Sequence, residues 1–428
     1  MSERLEDVWR REVPHVLGAL VRRYGHFDDA EDAIQEALLA AARQWPADGV
    51  PDEPRAWLVR VAARRLIDQL RSERARAARE EADGVRRPAD AERVDGPADA
   101  RPAGTTGDDD TLRLLILCCH PALTPSSQVA LTLRAVAGLT TAQVAAAFLV
   151  PETTMAQRIS RAKQTLRRHG ARFELPTRET SLERVAAVAH VLYSAFTEGH
   201  TRTDGAELVD VSLTAEAIRL TRDLHALMPE DDEVTGALAL MLLTDARRTA
   251  RVDPSGDLVP LEQQDRALWD RAAIAEGVAL IERVLPSGPV GPFQLQAAIA
   301  AVHDEAEVWA ETDWMQISVL YRMLEQVAPS PSVRLNRAVA VGMAHRPQDG
   351  LELVEELLAT PAMRRHHRAH AVRAHLLERV GRADEASREY AEAARLTTSI
   401  PEQRYLNRRA NAASRTVEGP RPDPAEES

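Results

Sequence analysis

Aromatic residues make up only 4% of the 428 residues, and cysteine occurs twice, at the neighbouring positions Cys118 and Cys119. Two adjacent thiols exclude a disulfide framework. No stretch alternates apolar and polar residues over the length of a strand, so little or no sheet is expected. No apolar run reaches the ~18 residues of a membrane span. The opening MSERLEDVWRREV lacks the apolar core of a secretory signal. These absences predict a soluble, cytoplasmic chain with no membrane partner. GxSxG, HExxH and P-loop motifs are absent too, so no catalytic residue, metal or cofactor is expected. The run Cys118-Cys119-His120 brings two thiols and one imidazole, short of the usual four metal ligands, and reads as a buried thiol pair.

What the chain has is helix-forming residues. Alanine, leucine, arginine and glutamate dominate, and apolar residues reach 44%. An all-α chain of two or three domains is expected at this length. The net charge of −12 excludes a protein that coats nucleic acid with its whole surface. Basic charge is local instead, and a local patch is what engages DNA.

The strongest patch lies in Leu139–Arg168, LTTAQVAAAFLVPETTMAQRISRAKQTLRR. Thr140 or Thr141 can cap a short helix through Ala147, because its hydroxyl accepts an orphan N–H. Phe148, Leu149 and Val150 form a turn closed by Pro151, which suits the first turn of a second helix. Met155, Ile159, Ala162 and Leu166 recur at helical spacing as a buried stripe. Thr153, Thr154, Gln157, Arg158, Arg161 and Gln164 occupy the other face. Pro151–Arg172 carries six basic residues against Glu152 alone. A polar tip with a basic flank suits a major groove, the tip meeting base edges and the flank phosphates.

Upstream, Val8–Gly25 reads as an amphipathic helix. A second begins near Asp28 and ends before a connection at Trp45-Pro46. Its inward stripe is Ile34, Leu38, Ala41 and Trp45, and Asp32, Gln35 and Glu36 lie on an acidic face. A third, Arg55–Arg79, holds eight arginines against Asp68 and Glu73. Basic residues at helical spacing beside Trp57 suit a phosphate backbone or an unpaired base, or simple pairing with acids elsewhere. Glu80–Asp110 has ten acids against four arginines and almost nothing to bury, so it reads as a flexible linker.

The second half, to about Ala412, is helical throughout. Gly381, Ala386, Tyr390 and Ala393 have counterparts in Gly350, Val354 and Leu357, and in Ile317, Tyr321 and Leu324. Their offsets are close to a tetratricopeptide period, and only the last set fits that pattern well. Arg247-Arg248, Glu262–Arg266 and Trp269-Asp270-Arg271 form a polar cluster around the turn Asp253–Asp257, with Glu198-Gly199-His200 a second island. Salt bridges and helix caps between repeats explain them more simply than acid–base catalysis.

Taken together, acidic helix, tryptophan-arginine helix, linker and helix-turn-helix resemble the sigma-70-type initiation factors of the extracytoplasmic-function group. The resemblance covers about Val8–Arg79 and Leu112–Arg168. DDAEDAIQEALLAAARQW resembles the family's grip on core RNA polymerase, which implies polymerase contacts at Asp29, Glu31, Asp32, Gln35 and Glu36. PRAWLVRVAARRLIDQLR resembles the region that melts and reads the −10 element. Trp57, Arg60, Arg65, Asp68 and Arg71 fall on that pattern, with Arg64 beside them; Ala63-Arg64 stands where the family commonly has Arg-Asn. LTTAQVAAAFLVPETTMAQRISRAKQTL resembles the −35 reader, implying DNA contacts at Thr153, Thr154, Gln157, Arg158 and Arg161. LCCHPAL, FTEGH, AEAIRL and QDRALWD resemble a subgroup with a tetratricopeptide-like helical extension. That resemblance implies an extension that regulates or supports sigma activity in place of a separate membrane-bound inhibitor.

The expected organisation is therefore all-α. Residues 1–79 form the polymerase and −10 module, 80–110 an acidic linker, 111–172 the helix-turn-helix module, 181–412 the extension and 413–428 a disordered tail. The implied partners are core RNA polymerase, through its clamp coiled coil and flap, promoter DNA, and a regulatory protein or ligand on the extension. The alternatives are a conventional regulator that binds DNA without polymerase, and an enzyme with a site at Glu262–Arg271.

Overall fold

A computed structural model describes residues 2–25, 27–82, 107–148, 150–170, 178–200, 211–361 and 363–418. Among the described residues there is no strand; Val252 and Leu258 form an isolated bridge. No helix among them is long and apolar enough to cross a membrane. The chain divides into two units, Met1–Val191 and Leu192–Ser428.

The first unit opens with α1 (Ser2–Tyr24), α2 (Phe27–Asp48) and α3 (Pro54–Ala82). Each buries one stripe: Val16, Leu17 and Leu20; Ala30, Ile34, Ala37 and Ala41; Leu58, Ala62 and Leu66. Helical spacing makes each set a single face, and burying the three faces together forms one core. Pro46 lies inside the last turn of α2 and not in a connection after it. Its ring removes one backbone donor within a turn of the helix end, so the chain continues to Asp48. The expected linker over 80–110 falls largely outside the described residues. Its two ends are helical, because α3 reaches Ala82 and α4 (Gly107–Cys118) starts at Gly107.

After α4 come α5 (Pro125–Ala135), α6 (Thr141–Ala147), α7 (Glu152–Arg168) and α8 (Arg178–His200). Thr124 caps α5, its hydroxyl accepting from Ser127 N, with Pro125 in the first turn. Thr140 and Gln143 cap α6 reciprocally. The Thr140 hydroxyl accepts from Gln143 N at 3.1 Å, and Gln143 Oε1 accepts from Thr140 N at 2.8 Å. Cys118 and Cys119 are unbridged and buried. Burial pushes both thiols up, Cys119 to about 12, with Thr132 Oγ1 3.8 Å from its sulfur. Neither is a thiolate at neutral pH, so the pair behaves as core.

The second unit adds α9 (Val211–Leu227), α10 (Asp232–Ala246), α11 (Arg271–Val284), α12 (Pro292–Glu305), α13 (Trp314–Val327) and α14 (Pro331–Ala344). It ends with α15 (Pro347–Leu358), α16 (His367–Arg379), α17 (Ala383–Leu396) and α18 (Ile400–Glu418). Helix α10 is apolar on every side and packs against α9, α11 and α12, which makes it the centre of that half. From α13 onward, successive helices pack on one another. The three repeat sets fall on α13, α15 and α17, alternate members of that series. Tyr390 is buried, and its hydroxyl donates to Glu378 at 3.0 Å. Gly381 ends a turn in the left-handed region (φ 78°). The last helix runs past Ala412 to Glu418, beyond the expected end of the extension.

Small residues set the closest approaches. A Cβ at Gly236 would stand 2.7 Å from the backbone nitrogen of Gln294, so α10 and the start of α12 touch backbone to backbone there. Backbone cannot swing aside as a side-chain tip can. We expect Gly236→Ala to destabilise the second unit by about 1–3 kcal/mol, as overpacking does. Thermal and urea unfolding check this; an unchanged midpoint would contradict the close approach.

Candidate nucleic-acid interface

Helix α7 sorts its residues as its periodicity predicts. Met155, Ile159, Ala162 and Leu166 are buried. Thr153, Thr154, Gln157 and Arg161 are exposed, and Arg158 is half-buried, with its guanidinium 5.6 Å from the Phe148 ring. The five residues thus share the face away from the core stripe. The polar tip stands over the N-terminal turn of the helix, where free backbone N–H groups also favour an anion.

The basic flank does not all face outward. Lys163 pairs with the buried Glu31, lies 3.9 Å from Asp28, and sits over the Phe27 ring at 5.8 Å. Arg134 of α5 reaches Glu31 at 3.0 Å, and Arg167 reaches Asp28 at 3.1 Å. A polar cleft of about 260 Å³ runs between these groups, with Asp32, Gln35 and Ser160 also on its walls. The start of α2 therefore docks on the edge of α7 that adjoins its buried stripe.

This arrangement divides the acidic helix. Glu31 is 7% exposed and held between two cations. Asp29 is half-buried and accepts from Gln69 Nε2 at 3.5 Å. Asp32, Gln35 and Glu36 stay exposed, Glu36 within 3.5 Å of Arg65. Although Asp32 is exposed, partial desolvation at the cleft wall, with the charges of Glu31, Asp28 and Glu36, pushes its carboxyl up from the ordinary range against the pull of Lys163.

On α3, Arg60, Arg64, Arg65, Asp68 and Arg71 are exposed. Trp57 is half-buried, edge-on to Trp45 at 5.4 Å, and Trp45 in turn meets Trp9 at 6.4 Å. The indole is anchored on one side, which leaves a fixed aromatic edge rather than a mobile ring. A broad groove of about 1830 Å³ lies between α1 and α3, with Arg60, Arg64 and Arg71 on one wall and Arg22, Arg23 and Tyr24 on the other. The second wall was missed in the sequence, where only the apolar face of α1 drew notice. The signal was the Arg22-Arg23-Tyr24 run just before Gly25. Arg55, also lining the groove, is tied to Glu12 at 2.8 Å. Among the described residues, no group of acids, histidines and cysteines has the arrangement of a metal site.

Comparison with known proteins agrees with this geometry. Residues 8–76 match the family Sigma-70 region 2, and residues 113–166 match the family Sigma-70, region 4. Residues 184–285 match a family of unknown function, DUF6596. An uncharacterized protein of Rhizobium meliloti (strain 1021) is 41% identical over 393 residues, covering 92% of this chain and 92% of that protein. A probable ECF RNA polymerase sigma factor, SigI, of Mycobacterium tuberculosis (strains CDC 1551 and H37Rv) is 28% identical over 158 residues. That match takes in 37% of this chain and 52% of the mycobacterial protein, about half its length. Region 2 and region 4, matched in that order along one chain, together with the distant mycobacterial relative, support a sigma factor of the sigma-70 family.

Proposed function

We propose that the chain is an alternative sigma factor of the extracytoplasmic-function group, regulated by the helical extension carried in its second unit. The observation that carries this reading is the outward polar face of α7 in the same chain as the basic groove of α3. The exposed side of α2, Asp32, Gln35 and Glu36, contacts core polymerase. Glu31 joins that contact only after its ion pairs with Lys163 and Arg134 give way, and Asp29 only after it releases Gln69. Arg60, Arg64, Arg65, Asp68 and Arg71 follow the −10 strand, with Trp57 as the aromatic edge against a base. Thr153, Thr154, Gln157, Arg158 and Arg161 enter the −35 major groove. Holding an unpaired base outside the stack costs a few kcal/mol, offset by stacking and phosphate contacts.

Run-off transcription with purified core polymerase on genomic templates is the direct test. A promoter-specific transcript is expected, and its absence from every template would overturn the reading. Arg158→Ala and Arg161→Ala should each lower −35-dependent transcription about tenfold, within the 1–3 kcal/mol of a lost DNA contact, while leaving polymerase binding unchanged. Asp32→Ala combined with Glu36→Ala should abolish co-purification with polymerase. Both positions are exposed, so its unfolding free energy should stay within about 0.5 kcal/mol of the parent. Truncation after Gly170 tests the extension: transcription should fall if the extension supports the sigma modules and rise if it restrains them. An unchanged transcript level would remove the regulatory role.

A further inference from the structure

Residues 247–270 contain no α-helix; three short 3-10 turns carry the chain from α10 to α11. Against the ends of α8 and α12, this segment holds buried polar groups that neither the helix packing nor the promoter reading uses. Arg266 is 8% exposed, and its Nη1 donates to the carbonyls of His303, at 2.8 Å, and Ala306. Its guanidinium stacks 4.5 Å from the Trp269 ring, and its Nη2 is buried with no hydrogen-bond partner. Trp269 is 3% exposed, and its indole N–H is unmet as well. Asp304 is wholly buried, and neither carboxylate oxygen accepts a hydrogen bond. Arg247, 3.5 Å away at Nε and 6.0 Å from the Trp269 ring, links the two. His200 and His303 each leave Nδ1 unmet, and the His303 ring lies parallel to Trp309.

Helix capping explains part of this. Arg251 donates to the His200 carbonyl at 2.8 Å, as Arg266 does at the end of α12. Capping does not explain unmet donors and unmet acceptors in one cluster. Buried polar atoms in folded proteins nearly always have partners, so such a gathering marks the place of a polar molecule. The charges agree. Burial, with the charges of Arg251 and Arg247, holds His200 down at about 2, and burial with Arg247 and Arg266 holds His303 at about 3. Burial also pushes Asp304 up to about 6, against the pull of Arg247, Arg266 and Arg271. Three arginines, Arg247, Arg266 and Arg271, bear on the wholly buried carboxylate of Asp304, with Asp245 and Glu311 as further acids beside them.

We propose that this constellation binds a small organic anion that also carries a hydrogen-bond donor. Its carboxylate or phosphate takes Arg266 Nη2, the Trp269 N–H and Arg247, and its ammonium or hydroxyl group donates to Asp304. The site stands on the geometry of the second unit alone, so its failure would leave the promoter reading intact.

Two probes separate the halves of the site on the full-length chain: inorganic phosphate, an anion alone, and O-phosphoserine, which adds an ammonium group. Tryptophan fluorescence and melting temperature are followed at constant ionic strength. Both probes should give saturable changes, with O-phosphoserine half-saturating at about a tenfold lower concentration, the worth of one charge-assisted hydrogen bond. Asp304→Asn should erase that difference and keep the phosphate response. Trp269→Phe, which keeps a ring and loses the N–H, should weaken both. The melting temperature without probe shows that each variant is folded. No saturable change with either probe, or responses unaltered in both variants, would overturn the site and leave ordered water as the occupant.

Discussion

Glu31 is a carboxylate held out of water, and such a group needs cations and donors within reach. Arg134 comes to it from α5 and Lys163 from α7, so one buried charge ties three helices of the first unit together. Removing one partner from such a network costs about 3–5 kcal/mol, whereas the intact network adds little net stability over an apolar equivalent. Its effect is therefore on geometry. It fixes the edge of α7 that α2 meets, and leaves the opposite edge, with Thr153, Gln157 and Arg161, in solvent. A purely apolar seam of the same area would hold the two modules together without choosing a register as sharply. It would also be harder for a charged partner to open.

On the proposed function, that choice sets up a competition. The residues that pair with Lys163 and Arg167 stand on the same helix as the exposed Asp32, Gln35 and Glu36. A partner presenting basic side chains to α2 meets the outer three first and then contends with the chain's own cations for Glu31 and Asp28. Every pair lost to Lys163 is regained with the partner, so the exchange is close to balanced in electrostatic terms. Electrostatic exchange of this kind makes opening depend on ionic strength, because the outer charges are screened and the inner ones much less so.

Much of the first unit was legible in the sequence because periodicity is a local signal. The stripe Met155, Ile159, Ala162 and Leu166 is buried as spaced, and Thr140 caps α6 as its type suggests. Pro46 was not legible, since a proline near a helix end and one just beyond it look alike. Lys163 and Glu31 are 132 residues apart in the chain, and nothing in either segment names the other as partner. The basic wall formed by Arg22, Arg23 and Tyr24 was hidden by the stronger apolar pattern of the same helix. In the second unit the caps read from the polar cluster are present: Asp265 and Asp270 accept from backbone N–H groups at the starts of their helices. Glu262 and Asp257 form ion pairs to Arg409 and Arg408 of α18. The orphaned atoms were not legible, because whether a buried group is satisfied depends on distances that a sequence does not carry.

Those orphans also bear on why the second unit uses arginine at its helix ends. A guanidinium has five donors in a rigid fork, so it can close the carbonyls of a helix end and still present an N–H elsewhere. Arg266 does this: one nitrogen serves His303 and Ala306, and the other is left over. A lysine would satisfy the same carbonyls with a single mobile ammonium and leave no oriented donor behind. An unmet donor beside an unmet carboxylate weakens the segment that joins α10 to α11 whenever nothing lies between them. Any molecule that satisfies both stabilises the folded segment by mass action, in proportion to how far its concentration exceeds its dissociation constant. The joining segment, rather than the helical array around it, is thus the part of the extension whose stability a bound molecule can set.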